Sequence, residues 1–283
     1  MSFLNILLIS IFSLPFISFA LTNAQPALDK TQEAHVMIRA EARDDAGDTG
    51  PAYCNATLIS PRILVTAAHC ISDAIVLRND KVHIEIGRYK YVTRPDGQVV
   101  RVGYAAYLKT ENQSSFYVLN NLEAKLIQNG FKTQIQPGED IALIVLQNAL
   151  SLEPDFKFTK ILPRSVLSQA FSSLVSYSPT ALTVNLISYN DTNFKRFGVL
   201  NSISYNQQGW FESRSSVRVE EMDSGGALML KYENDMQLIG VVKGRGQSFF
   251  GGNWDAYTLA VGRVCDLGQK AKLTPDEVEL VCR

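Results

Sequence analysis

The chain has 283 residues, 46% of them hydrophobic, with 27 basic and 28 acidic side chains and a formal net charge of −1. That length can bury a full core, and the balanced charge excludes the electrostatic footprint of a nucleic-acid binder or of a protein held on an anionic membrane surface. Residues 1–24 stand apart. The run FLNILLISIFSLPFISFALTNA carries no charged side chain, is broken only by Pro15 and offers small residues for cleavage after Ala20 or Ala24, so it reads as a secretory signal peptide. The competing reading, an uncleaved anchor, suits it less: the run is short for a span and lacks a flanking charge, and no stable membrane insertion is expected once the leader is removed.

The mature chain reads as β. VMIRAEA (36–42), NATLI (55–59), RILVTAA (62–68), KVHIEIGRYKYV (81–92), QVVRVGYAAY (98–107) and DIALIVL (140–146) are runs rich in Val, Ile and Tyr, and RPDGQ (94–98) offers a hairpin turn. The segment 108–138 is longer than an ordinary connection and partly helical in pattern, so it reads as an insertion. A Pro-bearing connector over 151–164 separates a first β unit (34–150) from a second (165–265). The second contains ALTVNLISY (181–189), RFGVLNSISY (196–205), GALMLKY (226–232), MQLIGVVKG (236–244) and DAYTLAVGRV (255–264). In the tail, 266–283, Thr274, Pro275 and Glu277 form a capping box with proline at the first helical position, which predicts a short helix through DEVELVC.

Export gives the cysteines meaning, because disulfides persist in oxidising compartments. Cys54 and Cys70 are 16 apart, Cys265 and Cys282 are 17 apart, and four cysteines allow three connectivities, among which sequence alone does not choose. Local closure of each pair would contribute about 3 kcal/mol per loop in the chain-entropy model. Sequons stand at Asn55, Asn112 and Asn190; the three-residue match is unspecific and matters only in a eukaryotic secretory pathway.

A lone histidine is usually structural, but VTAAHC (65–70) is followed by GEDIALIVL (138–146) and then by MDSGGAL (222–228). His69, Asp140 and Ser224 thus occur in the order His, Asp, Ser known from chymotrypsin-type enzymes. From about His35 to Cys265 the chain resembles the trypsin-like (chymotrypsin-fold) serine proteases, a resemblance that also rests on CNATLISPRILVTAAHC, on the ILP of the connector and on DAYTLAV. It implies two six-stranded antiparallel β-barrels with a short C-terminal helix. It implies a secreted or periplasmic enzyme acting on protein or peptide substrates, with His69 as base, Asp140 orienting it and Ser224 as nucleophile. It also implies a Cys54–Cys70 bridge around the histidine strand. A second bridge, Cys265–Cys282, would fold the capped helix back onto the last barrel strand.

Three departures from the family pattern bear on activity. Met222 stands where the family has the glycine whose amide, with that of Ser224, forms the oxyanion hole; a glycine-like positive φ there would strain a methionine. No Ile-Val-Gly-Gly follows a basic residue between Gln25 and His35, so Asp223 needs a partner other than a newly cut amino terminus, and Lys243 and Arg245 are candidates. At the substrate pocket, an ungapped register places Arg218 at the base and Asp255 on the wall, where the two would neutralise each other. Two classes of function follow: an active endopeptidase, or a protease-fold binding protein with an impaired oxyanion hole. No cofactor is expected, and no metal, since among His35, His69 and His83 no pair has ligand spacing on a helix.

Overall fold

A computed structural model describes residues 25–26, 33–44, 47–48, 51–77, 82–111, 114–167, 184–189, 195–200, 203–206, 208–247 and 253–283. The leader and the sequons at Asn112 and Asn190 lie outside the described residues. Two antiparallel sheets make up the molecule, with one short parallel pairing. The strands are β1 (Gln25–Pro26), β2 (His35–Asp44), β3 (Gly47–Asp48), β4 (Ala52–Leu58), β5 (Ile63–Thr66), β6 (Val82–Thr93), β7 (Val99–Glu111), β8 (Ser114–Val118) and β9 (Ala142–Leu146). They continue with β10 (Lys160–Ile161), β11 (Val184–Tyr189), β12 (Lys195–Leu200), β13 (Ile203–Asn206), β14 (Trp210–Ser213), β15 (Ala227–Tyr232), β16 (Asp235–Gln247) and β17 (Asn253–Leu259). The first sheet runs β7-β6-β2-β4-β5-β9-β8 with β3 on β2; the second runs β1-β12-β11-β15-β16-β17-β14-β13 with β10 on β16. Each sheet therefore exceeds the expected six strands, in part through the two-residue pieces β1, β3 and β10.

Strands β5 and β9 explain how the two halves join. Their sequences, ILVT and ALIVL, are apolar except for Thr66 and every residue is buried, the pattern of strands covered on both faces. Ile63, Val65, Leu143 and Val145 pack into the core shared with the second sheet, whereas Leu64, Ala142, Ile144 and Leu146 face the core of the first. Alternation along each strand divides its side chains between two cores, and each buried Ile, Leu or Val stabilises the fold by about 1.5–3 kcal/mol.

Several local readings need correction. RFGVLNSISY is two strands, β12 and β13. The segment read as an insertion contains the end of β7, all of β8 and the helix Asn120–Asn129. Strand β14 carries too short an apolar run, flanked by Gly209 and Arg214, to show a period. The tail holds two helices, Arg263–Lys270 and Pro275–Val281, the second capped by Thr274 with Glu277. Cys265 therefore lies in a helix, and its bond to Cys282 ties one helix to the other; the second disulfide joins Cys54 to Cys70. No helix among the described residues is long and apolar enough to cross a membrane.

At the start of β2, His35 is 2% exposed, with Nδ1 3.0 Å from the Thr57 hydroxyl and Nε2 lacking a hydrogen-bond partner among the described residues. Burial, and then the positive charge of Lys195, hold its pKa well below the ordinary 6.5. The unfolded chain takes up this proton as pH falls through about 6.5 while the folded chain does not, so stability is full above that pH and declines below it by up to about 1.4 kcal/mol per unit. Thermal melts from pH 7.5 to 5 should show a smaller acid-side loss of Tm in His35→Asn, which keeps a partner for Thr57, than in the parent chain; parallel curves would contradict the assignment.

Candidate active site

Thr66 lies opposite Ala142 in the β5–β9 pairing, so the chain leaving β5 and the chain entering β9 meet at one edge of the sheet. Beyond Thr66 come the fully buried Ala67 and Ala68 and a single 3₁₀ turn, Ala68–Cys70, that carries His69. Before Ala142, the turn Pro137–Glu139, closed by a capping box between Gln136 and Glu139, delivers Asp140. Asp140 has no exposed surface. Its Oδ1 accepts the His69 backbone N–H at 2.9 Å, and its Oδ2 lies 2.8 Å from His69 Nδ1 and 3.0 Å from Lys243 Nζ. Burial alone would raise the carboxyl pKa; His69 and Lys243 outweigh it and hold the group below the usual carboxylate range. With Nδ1 committed to Asp140, Nε2 is the ring nitrogen left for a proton from elsewhere. The Cys54–Cys70 disulfide fastens the turn to β4, its sulfurs within 4.8 Å of a His69 ring nitrogen.

Ser224 reaches the same edge through its neighbour. Gly225 has φ +76°, and a Cβ there would collide with the Asn55 carbonyl and the Thr66 hydroxyl, so the turn presses directly on β4 and β5. The Asn55 N–H donates to the Ser224 carbonyl at 2.7 Å, and Gly225 and Gly226 exchange hydrogen bonds with Val242 of β16. Ser224 is thus docked on β4 and on the end of β5, the strand that leads to His69, with no hydrogen bond between the Ser224 and His69 side chains among the described residues.

Met222 adopts φ +71°. This left-handed conformation costs a residue with a side chain about 1–3 kcal/mol and persists only where the surroundings impose it. Asn55 imposes it. Its Nδ2 donates to the Met222 carbonyl at 2.8 Å and to the Tyr189 carbonyl at 3.3 Å, and its Oδ1 accepts the Tyr189 N–H at 2.6 Å. The Asn55 side chain is 2% exposed and its amide is fully engaged, so the sequon at Asn55 is not a glycosylation site. Among the described residues the amides of Met222 and Ser224 donate no hydrogen bond.

Asp223, with no exposed surface, accepts hydrogen bonds from the Ser188 hydroxyl and, at 2.8 Å, from the Glu220 N–H, and it faces the positive charge of Arg196. Neither candidate drawn from the sequence is its partner: Lys243 binds Asp140, and Arg245 binds Glu220 at 2.7 Å. Arg218 and Asp255 do meet. Arg218 Nε and Nη2 lie 3.0 and 3.2 Å from the two Asp255 oxygens, the Val219 N–H adds a third bond at 3.1 Å, and Arg245 Nε stands 3.8 Å away. Burial nevertheless raises the Asp255 carboxyl above its ordinary pKa, against the pull of Arg218, the Val219 N–H and Arg245.

Sequence reasoning missed Asn55, Ser188 and Arg196 as parts of the site. Asn55 follows a cysteine in a strand and carried only a misleading sequon; Ser188 and Arg196 sit in strands with no motif around them. A family model described as Trypsin matches residues 32–258. No curated protein matches the chain.

Removing the Asn55 amide leaves the Tyr189 N–H and carbonyl and the Met222 carbonyl unsatisfied in the interior, at about 1–3 kcal/mol for each group that water cannot reach. Asn55→Ala should lower unfolding free energy by about 3 kcal/mol in urea at unchanged m, and adding Met222→Gly should recover about 1 kcal/mol by relieving the left-handed strain. A loss below about 0.5 kcal/mol would show that the amide does not hold the turn.

Proposed function

Because the chain belongs to the trypsin family, a family of serine-type peptidases, we propose that it is a secreted endopeptidase working through His69, Asp140 and Ser224 and an acyl-enzyme. The observation that carries this is the 2.8 Å contact between His69 Nδ1 and a fully buried Asp140, at the strand edge to which Ser224 is also docked. A serine hydroxyl is a poor nucleophile at neutral pH. As Ser224 Oγ attacks the scissile carbonyl, its proton passes to His69 Nε2; the ring, held by Asp140, then returns that proton to the leaving amine. Water, deprotonated by the same nitrogen, releases the acyl group and regenerates Ser224. The oxyanion of each tetrahedral intermediate would take the amides of Met222 and Ser224, each such donor being worth about 10²–10³ in turnover. Two disulfides support an oxidising compartment, in keeping with the leader read from the sequence.

The alternative of a binding protein with an impaired oxyanion hole rested on Met222. Its φ of +71° is the backbone that glycine supplies without strain, and Asn55 holds it there; both observations favour the enzyme. In the pocket, Asp255 is neutralised by Arg218 and approached by Arg245, and Glu220 pairs with Arg245. Two cations against two carboxylates leave no net charge to select a basic or acidic substrate side chain.

A fluorophosphonate probe should label the protein covalently, and Ser224→Ala or His69→Ala should abolish labelling; a parent chain that takes no label would return the binding-protein reading. For specificity, profiling a peptide library should show weak charge preference in the parent. Arg218→Ala should gain a modest preference for Lys and Arg, because Arg245 is close enough to take over Asp255. The Arg218→Ala/Arg245→Ala double variant should raise that preference at least about tenfold, as a freed carboxylate contributes a charge-assisted hydrogen bond. An unchanged profile in the double variant would place Asp255 outside the pocket.

A further inference from the structure

Lys243 is the extra residue of a β-bulge. Along β16 and β17, Val242 pairs with Tyr257 and Gly244 with Ala256, so one residue of β16 has no counterpart. Gly244 completes the irregularity with φ +138°, a backbone conformation that side chains rarely adopt. Bulges re-aim a side chain at the point where they interrupt a ladder, and here the side chain arrives at Asp140, with Nζ 3.0 Å from Oδ2. That oxygen is the one that also holds His69 Nδ1. An ammonium and an imidazole therefore share one carboxylate oxygen, and the ammonium is only about a quarter exposed.

We propose that Lys243 is a positioning residue of the catalytic centre, whose ammonium shares Asp140 with His69 and so keeps the imidazole an unprotonated, working base under more acidic conditions than the His69–Asp140 pair alone would allow. The proposal rests on reading His69 as the base. Its physics is direct: a protonated ring would place a second cation against a carboxylate oxygen already paired with one, and like charges a few ångströms apart disfavour the charged form. Lys243 itself exchanges no proton; the proton of Ser224 still moves to His69 Nε2 and from there to the leaving group.

The other charged groups around the site are occupied elsewhere. Glu139, next to Asp140, is bound by Lys125 and Asn121. Asp73, in the short helix Ser72–Val76, takes the Ser72 hydroxyl. Asp223 faces Ser188 and Arg196, and Arg245, Glu220, Arg218 and Asp255 pair among themselves. Apart from His69, only Lys243 forms an ion pair with Asp140 among the described residues.

The test is the pH profile of kcat/KM on a small ester substrate, each curve normalised to its own plateau. In Lys243→Met the acid limb should move up by about one pH unit, the size of effect that a nearby charge produces, so that normalised activity low on the acid limb falls by up to about tenfold relative to the parent. Lys243→Arg, which restores the charge, should keep the limb close to the parent position, whereas a merely structural role would change stability and leave the limb in place. An acid limb that overlays the parent in Lys243→Met overturns the proposal. Should Lys243→Met have too little turnover to profile, the His69 ring titration followed by NMR in Ser224→Ala, with and without Lys243→Met, measures the same coupling: an upward displacement supports the proposal, and coincident titrations overturn it. That titration needs no catalysis, so a parent chain without probe labelling would sink the protease reading and still leave the coupling between Lys243 and His69 decided.

Discussion

A carboxylate with no exposed surface is the constraint on which the site is built. Asp140 would be too costly to bury as an anion unless both oxygens were met by donors. They are, and the donors come from distant parts of the chain: the His69 backbone and ring from the turn after β5, and Lys243 from the bulge in β16. The carboxylate can hold these pieces together because the strands behind it cannot shift. Strands β5 and β9 are buried on both faces, each apolar side chain committed to one of two cores, and a slip by one residue would exchange the two sets. The register that packs the cores is thus the register that places His69 opposite Asp140.

A second buried carboxylate, Asp223, organises the other half of the site by different means. It is satisfied by a hydroxyl and a backbone amide, with an arginine facing it, all from the body of the second sheet and the turn itself. Beside it, Asn55 reaches from the first sheet to the Met222 and Tyr189 carbonyls. The strained Met222 is therefore clamped from one side by Asn55 and from the other by the turn that Asp223 closes. Strain at such a point is tolerable only because the rest of the fold over-determines it.

Strand β16 distributes charge between these regions. Lys243 serves the buried carboxylate of the first sheet, and Arg245, two residues on, serves Glu220 and Asp255. Gly244 between them permits the bulge that separates their destinations. One strand thus reaches two buried carboxylates, Asp140 and Asp255, and its local irregularity sends the two cations to different ones.

Much of this was legible in residue order alone. The short apolar runs of β5 and β9, the alternating strands around them and the Thr274 capping box are local patterns, readable because side-chain period and cap chemistry depend only on near neighbours. The order His69, Asp140, Ser224 was legible because each residue lies in a motif, and the meeting of Arg218 with Asp255 was an expectation drawn from the places that the family resemblance gives them. What the sequence could not decide were the partners of buried groups. Whether Asn55 carries a glycan or clamps a turn, whether Lys243 serves Asp223 or Asp140, and what satisfies Asp223 all depend on which strands lie side by side and where one of them bulges. Those are long-range pairings between residues far apart in the chain. A buried donor or acceptor must be met by something, but what meets it is settled only when packing brings distant segments together.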